Sequence, residues 1–201
     1  MTDESMVYLL DDEPQMLKAL ARLLRAEGLH VQGFSSAREF LAHVRPHGPA
    51  CLVLDVAMPE IDGLSVQARL RQIDAELPIV FLTGHGDIPM SVRAMKAGAE
   101  NFLTKPVNAA ELLPAIRAAL QRAAEQQAER QALASLHERF ARLTPREREV
   151  LGHVIAGKMN KQIAAALGTG EQNIKVHRGR LMRKLGLRSV AELVRLAERL
   201  G

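Results

Sequence analysis

The feature that most constrains this chain is a pair of apolar runs that each end abruptly in acid. Cys51-Leu52-Val53-Leu54 leads without a polar break into Asp55, and Val56-Ala57-Met58-Pro59 follows as a turn. An unbroken apolar run of this length fits a strand covered on both faces, as in a parallel α/β sheet. Met6-Val7-Tyr8-Leu9-Leu10 repeats the pattern and ends in Asp11-Asp12-Glu13. Open α/β sheets place their chemistry at the carboxyl ends of the strands. Carboxylates from two such ends repel each other at one rim unless a hard cation sits among them. Mg2+ suits that place, because it takes a few protein oxygens in octahedral geometry.

Strand and helix alternate through the first half. The patterns predict strands over Met6–Leu10, His30–Phe34, Cys51–Asp55, Ile79–Leu82 and Asn101–Leu103. Between them lie helices over about Pro14–Glu27, Ala37–Val44, Gly63–Asp74 and Pro89–Ala97. Pro14 and Gly28 punctuate the first helix, and Ser35 or Ser36 caps the second. Five such units with right-handed crossovers give a doubly wound, five-stranded parallel sheet. A fifth helix starts after Asn108 and shows no stop before about Leu136. Its apolar content falls after Leu120, so it reads as a long helix that leaves the sheet and becomes a solvated linker. The expected division is a first domain over 1–122, a helical linker over 123–139 and a second domain over 140–201.

The second half is all helix. Thr144-Pro145-Arg146-Glu147 has the form of a capping box. A helix from there ends at Gly157, a short one covers Asn160–Leu167, and Gly168-Thr169-Gly170 turns into a third over Glu171–Leu185. A fourth covers about Ser189–Leu200. A short helix, a glycine turn and a longer basic helix make a helix-turn-helix. Charge divides the same way. Residues 1–125 carry 12 Lys/Arg against 16 Asp/Glu, net −4, and residues 126–201 carry 15 against 7, net +8. A basic half suits a polyanionic partner. The 3% aromatic content, with no Trp, disfavours single-strand binding by stacking. No apolar run is long enough to cross a bilayer. The acidic start, Met1-Thr2-Asp3-Glu4-Ser5, is unlike a signal peptide, and one cysteine, Cys51, cannot make an internal disulfide. These features point to the cytoplasm and to no membrane partner.

At the acidic rim, Asp11 and Asp12 follow strand one, Asp55 ends strand three, Thr83 ends strand four, and Lys105 follows strand five. Carboxylates, a hydroxyl and an ammonium form a site for a phosphoryl group, with Asp55 as nucleophile and Lys105 on a phosphate oxygen. Strand one leads into Asp11-Asp12-Glu13-Pro14 and not into a glycine-rich phosphate loop, which argues against a nucleotide site. An aspartate-nucleophile phosphatase and a pure protein-interaction adaptor are the rival readings.

Residues 1–125 resemble the receiver domain of bacterial two-component response regulators. The resemblance rests on Asp11-Asp12, Asp55 with Met58-Pro59 and Asp62-Gly63, Thr83, and Lys105-Pro106. The stretch from Thr83-Gly84-His85-Gly86-Asp87 to Gly98-Ala99 is similar to the FixJ subfamily. The resemblance implies phosphorylation of Asp55 by a partner histidine kinase, without turnover as an enzyme. It implies Mg2+, with Mn2+ as an alternative, on Asp12, Asp55 and the carbonyl of Ala57, and Asp11 acting through water. It also implies a switch in which Thr83 moves toward the phosphoryl oxygens and Phe102 turns inward. Lys105-Pro106 is expected to be cis. Asp62 reads as a helix cap, and His85 reads as a solvated loop residue near the site.

On a helical wheel of Glu171–Leu185, Ile174, Leu181 and Leu185 face the core. Gln172, Val176, Gly179 and Arg183 lie opposite, with Lys175 and Arg180 on the shoulders and Lys184 nearby. A polar, basic outward face suits the major groove, with Gln172 and Lys175 at base edges and Arg178, Arg180 and Lys184 at phosphates. Residues 143–196 resemble the LuxR/NarL/FixJ type of DNA-binding domain. The matching stretches are Leu143-Thr144-Pro145-Arg146-Glu147, Asn160-Lys161-Gln162-Ile163-Ala164, Ile174-Lys175-Val176-His177-Arg178 and Met182-Arg183-Lys184-Leu185. By resemblance Lys175 and Val176 read bases, and the expected DNA set also holds Asn160, Lys161, Asn173 and Arg183. Gly170 and Asn173 depart from the Ser/Thr and Thr usual in the family. Gly179, mid-helix, costs about 1 kcal/mol of helix propensity. Promoter DNA, a phosphorylation-dependent homodimer pairing through the fourth helix, fifth strand and fifth helix, and RNA polymerase are the implied partners.

Overall fold

A computed structural model describes residues 5–43, 48–59, 61–73, 76–84 and 88–198. The chain separates into two compact units, Met1–Glu129 and Arg130–Gly201.

The first unit holds β1 (Met6–Leu10), α1 (Pro14–Ala26), β2 (His30–Phe34), α2 (Ala37–Ala42), β3 (Ala50–Asp55), α3 (Gly63–Ile73), β4 (Ile79–Thr83), α4 (Ile88–Lys96), β5 (Asn101–Thr104) and the start of α5 (Ala109–Ala141). The five strands form one parallel sheet in the order β2-β1-β3-β4-β5. The order reverses between β1 and β3, so the switch point that opens a crevice in such sheets lies between Leu10 and Leu54, which are register partners.

The apolar runs are buried on both faces, as their lack of alternation requires. Tyr8, Leu10, Leu52, Leu54 and Phe81 pack with α2, α3 and α4, whereas Val7, Leu9, Cys51, Val53, Val80 and Leu82 pack with α1 and α5. Burial pushes the Cys51 thiol far above its ordinary pKa. Ser36 Oγ accepts from Arg38 N and caps α2. Asp62 accepts from Ser65 N at 2.9 Å and from Ser65 Oγ at 2.8 Å. That makes it the cap of α3, and these hydrogen bonds hold its carboxyl below the ordinary range. At the other end of α4, the buried Gln67 of α3 donates to the carbonyls of Ala94 and Ala97, and Arg71 donates to that of Gly98 at 2.7 Å. These bonds satisfy terminal carbonyls that a helix leaves open.

Helix α5 continues through Pro114 to Ala141, five residues beyond the expected end. Its last buried residue is Ala123, which matches the fall in apolar content. The C-terminal unit adds α6 (Pro145–Ile155), α7 (Asn160–Ala166), α8 (Glu171–Leu185) and α9 (Val190–Glu198). Their core is Val150, Leu151, Val154, Ile163, Ile174, Leu181, Leu185 and Leu193, joined by Leu143 and Phe140. Thr144 and Glu147 form the expected capping box. Gly157, Gly168 and Gly186 each follow a helix end with φ between 63° and 74°, where a side chain is strained.

Candidate functional site

The register places the rim residues. Leu10 pairs with Leu54, Asp55 with Leu82, and Thr83 with Thr104. Asp11, Asp55, Thr83 and Lys105 therefore emerge at one edge. Asp11, Asp55 and Thr83 are 3–4% exposed. Lys105 crosses the rim: its Nζ lies 2.8 Å from Asp11 Oδ2, 3.0 Å from Asp55 Oδ2 and 3.9 Å from Glu13 Oε1. Its backbone N–H donates to the Thr83 carbonyl at 2.6 Å, which anchors it on the end of β4. The Lys105-Pro106 peptide is cis. Desolvation by burial acts to lower the Lys105 pKa, but the hydrogen bonds and charges of Asp11 and Asp55 outweigh it, so the pKa lies above its ordinary 10.5.

Each buried carboxylate is also fixed from its own turn. Glu13 N donates to Asp11 Oδ1 at 2.8 Å, and Ala57 N donates to Asp55 Oδ1 at 3.2 Å. One oxygen from each of Asp11, Asp12 and Asp55 comes within 4.8 Å of the others. Adjacent ligands of an octahedral Mg2+ are about 3 Å apart and opposite ones about 4.2 Å, so these three carboxylates supply the hard oxygens such an ion takes, with the side chains drawing closer around it. Three carboxylates beside one ammonium also leave an excess of negative charge.

Phe102, half-buried, lies against Phe81, ring centroids 6.1 Å apart, on the α2–α3–α4 side of the sheet. His85 falls outside the described residues. Two participants carry no role in the sequence reading. Glu13 is the fourth carboxylate near Lys105. Gly63 is required by close approach, because a Cβ there would lie 2.8 Å from the Asp55 carbonyl oxygen and 3.0 Å from Val56 Cα. The Asp-Gly turn signal marks Gly63 in the sequence, but not the contact that makes it necessary.

In the C-terminal unit, Ile174, Leu181 and Leu185 are fully buried and Gln172, Lys175, Val176, Gly179, Arg180 and Arg183 are exposed, as the wheel expects. Lys161 is exposed on α7. Asn173 Nδ2 donates to Thr169 Oγ1 at 3.1 Å across the turn.

Two expected phosphate contacts are engaged within the unit. Arg178 Nη1 donates to Asn160 Oδ1 at 2.6 Å, which ties α8 to the start of α7. Lys184 Nζ donates to Glu147 Oε2 at 2.6 Å and to the Arg142 carbonyl at 3.0 Å. Lys184 is a buttress of α6 here, because Glu147, 2% exposed, needs a cation. The Lys184 hydrogen bond, against the opposing effect of burial, holds the Glu147 carboxyl below its ordinary 4.5.

Residues 7–117 match the response regulator receiver domain family. Residues 141–197 match the bacterial regulatory proteins of the luxR family. The chain is 47% identical over 196 residues to the response regulator protein TodT of Pseudomonas putida, covering 98% of this chain and 86% of TodT. It is 40% identical over 202 residues to the transcriptional regulatory protein FixJ of Bradyrhizobium diazoefficiens, covering 100% of this chain and 98% of FixJ. The low-resolution structure of the response regulator StyR is similar with a TM-score of 0.91 and 47% identity, covering 98% of this chain and 99% of StyR.

Proposed function

The chain belongs to the LuxR-type response regulators, which join a receiver to a DNA-binding helix-turn-helix in a transcription regulator, and we propose that a phosphoryl group on Asp55 switches its grip on promoter DNA. The observation that carries this reading is the bridge of Lys105 between Asp11 and Asp55, with Asp12 in the same cluster. A partner histidine kinase presents its phosphohistidine, and an Asp55 carboxylate oxygen attacks phosphorus. A P–O bond forms as the P–N bond breaks, and the imidazole leaves with the electron pair. Such transfer depends on positioning and electrostatics more than on covalent help. Asp55 is held by the Ala57 N–H, and Lys105 offers its ammonium to a phosphoryl oxygen. Asp12, Asp55 and the Ala57 carbonyl would hold Mg2+ or Mn2+, with Asp11 acting through water, and such an ion would offset the charge on the phosphoryl oxygens. The acyl phosphate then hydrolyses slowly.

Thr83 then moves toward the phosphoryl oxygens and Phe102 packs inward behind it, biasing an existing two-state equilibrium. The altered surface of α4, β5 and α5 pairs two copies, and the outward face of each α8 enters a major groove in the cytoplasm. The functional division is a receiver over 1–122, a linker over 123–139 and a DNA-binding domain over 140–201, with RNA polymerase as a further partner at the promoter. The linker helix itself contributes to pairing or holds the domains apart, and a Gly-Gly insertion near Gln127 tests that role. Unchanged dimerisation and activation in that variant would remove it.

The function is tested with full-length protein labelled by acetyl phosphate and Mg2+. Labelled protein should dimerise and retain genomic duplex fragments, with affinity falling as salt rises. Labelled protein that retains no duplex at low salt would defeat the proposal.

A further inference from the structure

Helix α8 contains a glycine that its own fold does not require. Gly179 sits in the middle of Glu171–Leu185. It is not among the glycines at positive φ, and a Cβ built on it would meet nothing within 4 Å. Glycine weakens a helix because it has the most backbone freedom to lose. Gly179 therefore loosens α8 without serving any turn or any close contact among the described residues.

Its neighbours on the helix surface point to a need outside the chain. Lys175 and Val176, one turn before it, and Arg183, one turn after it, are all exposed. Val176, 41% exposed, is the large hydrophobic residue that α8 presents to solvent. Between two cations, then, the outward face carries a valine beside bare backbone. Such a place offers a base no side-chain donor or acceptor. It offers an apolar recess and room for the backbone to come close.

We propose that Gly179 is a specificity-determining position, where the α8 backbone approaches the floor of the major groove and the Val176–Gly179 recess takes the C5 methyl of a thymine. That methyl is the apolar group on the major-groove edges of the base pairs. Glycine serves elsewhere where backbone must approach a ligand closely. The inference rests on α8 being the helix that enters the groove.

The test uses full-length protein labelled by acetyl phosphate and Mg2+. Its probes are a duplex selected from a random library by the wild type and an unselected duplex of equal length. Gly152 supplies the control. It lies inside α6, and a Cβ there also meets nothing within 4 Å. Gly179→Ala and Gly152→Ala should both raise the melting temperature. Gly179→Ala should nevertheless bind the selected duplex roughly ten-fold more weakly, the scale of one mismatched pair, and the unselected duplex as the wild type does. Reselection with Gly179→Ala should lose a thymine preference at one position in each half-site. Gly152→Ala should bind both duplexes as the wild type does. Undiminished binding of the selected duplex by Gly179→Ala overturns the proposal, and so does an equal loss on both duplexes. Lys175→Ala separates the placement of α8 in the groove from the role of Gly179. If it too binds undiminished, the placement of α8 in the groove is wrong. If it loses binding while Gly179→Ala does not, only the role of Gly179 falls.

Discussion

Both units bury a carboxylate against a lysine, and the two pairings differ in how the charge around the lysine is balanced. In the helical unit, Glu147 accepts from Thr144 N at 2.8 Å and from Lys184 Nζ at 2.6 Å. One acid meets one cation and one helix cap, and the charge is balanced. At the rim, Lys105 faces Asp11 and Asp55 directly, with Asp12 in the same cluster and Glu13 at 3.9 Å. There the acids outnumber the cation. A balanced pair holds a fold together. Like charges gathered around one ammonium repel one another, and a cation beside them would offset that repulsion. Composition alone would rate the two sites alike, and the count of charges within reach tells them apart.

The sharpest way to break this contrast is Asp55→Asn. Labelling by acetyl phosphate and Mg2+, followed by mass spectrometry of the intact chain, should fall to nothing, and retained labelling would place the nucleophile elsewhere. Glu147→Ala should destabilise the helical unit by about 2–3 kcal/mol, since it removes a charged hydrogen bond and half of a capping box. Urea unfolding of the full chain, followed by a probe in the C-terminal unit, would show it. A change below about 0.5 kcal/mol would mean that Lys184 and Thr144 do not depend on this acid.

Asp12→Ala should act in the opposite sense. Without metal it should leave the receiver as stable or raise its stability by up to about 1 kcal/mol, by relieving repulsion. It should also abolish the gain expected of wild type with Mg2+, about 1.4 kcal/mol at ten times the dissociation constant. Thermal melts with and without Mg2+ measure both, and a metal-free loss of stability would show that the cluster is not under charge strain.

The smallest effects are in pH. The Lys105 pKa is raised, so its contribution to stability is complete below the ordinary 10.5 and lost as pH rises through the folded value. The stability gap between wild type and Lys105→Met should therefore close on the alkaline side. The Glu147 pKa is lowered, so its contribution is complete above the ordinary 4.5 and lost as pH falls through the folded value. The gap between wild type and Glu147→Gln should close on the acid side. A shared limb for the two gaps would contradict the assignment.

Much of this was legible in the residues alone. The continuous apolar runs, the Thr144–Glu147 capping box and the Ile174–Leu181–Leu185 stripe act over a few residues of chain, so periodicity and cap chemistry reveal them. The meeting of Asp11, Asp55, Thr83 and Lys105 was legible too, because parallel strands order their ends at one edge. Side-chain destinations were not. Lys184 reads as one more cation on a basic helix, and only the packing of α8 against α6 brings it to Glu147, 37 positions away. Arg178 likewise looks outward on charge alone until α7 delivers Asn160. Gly63 looks like an ordinary turn residue until the end of β3 passes 2.8 Å from where its Cβ would be.

By itself, then, the sequence determined the elements, their caps and the acidic rim, because those follow from local spacing and from the direction of parallel strands. Only the tertiary structure decided which lysine balances an acid and which is left outnumbered by acids. That depends on distances between segments remote in sequence, which packing sets and no local pattern encodes.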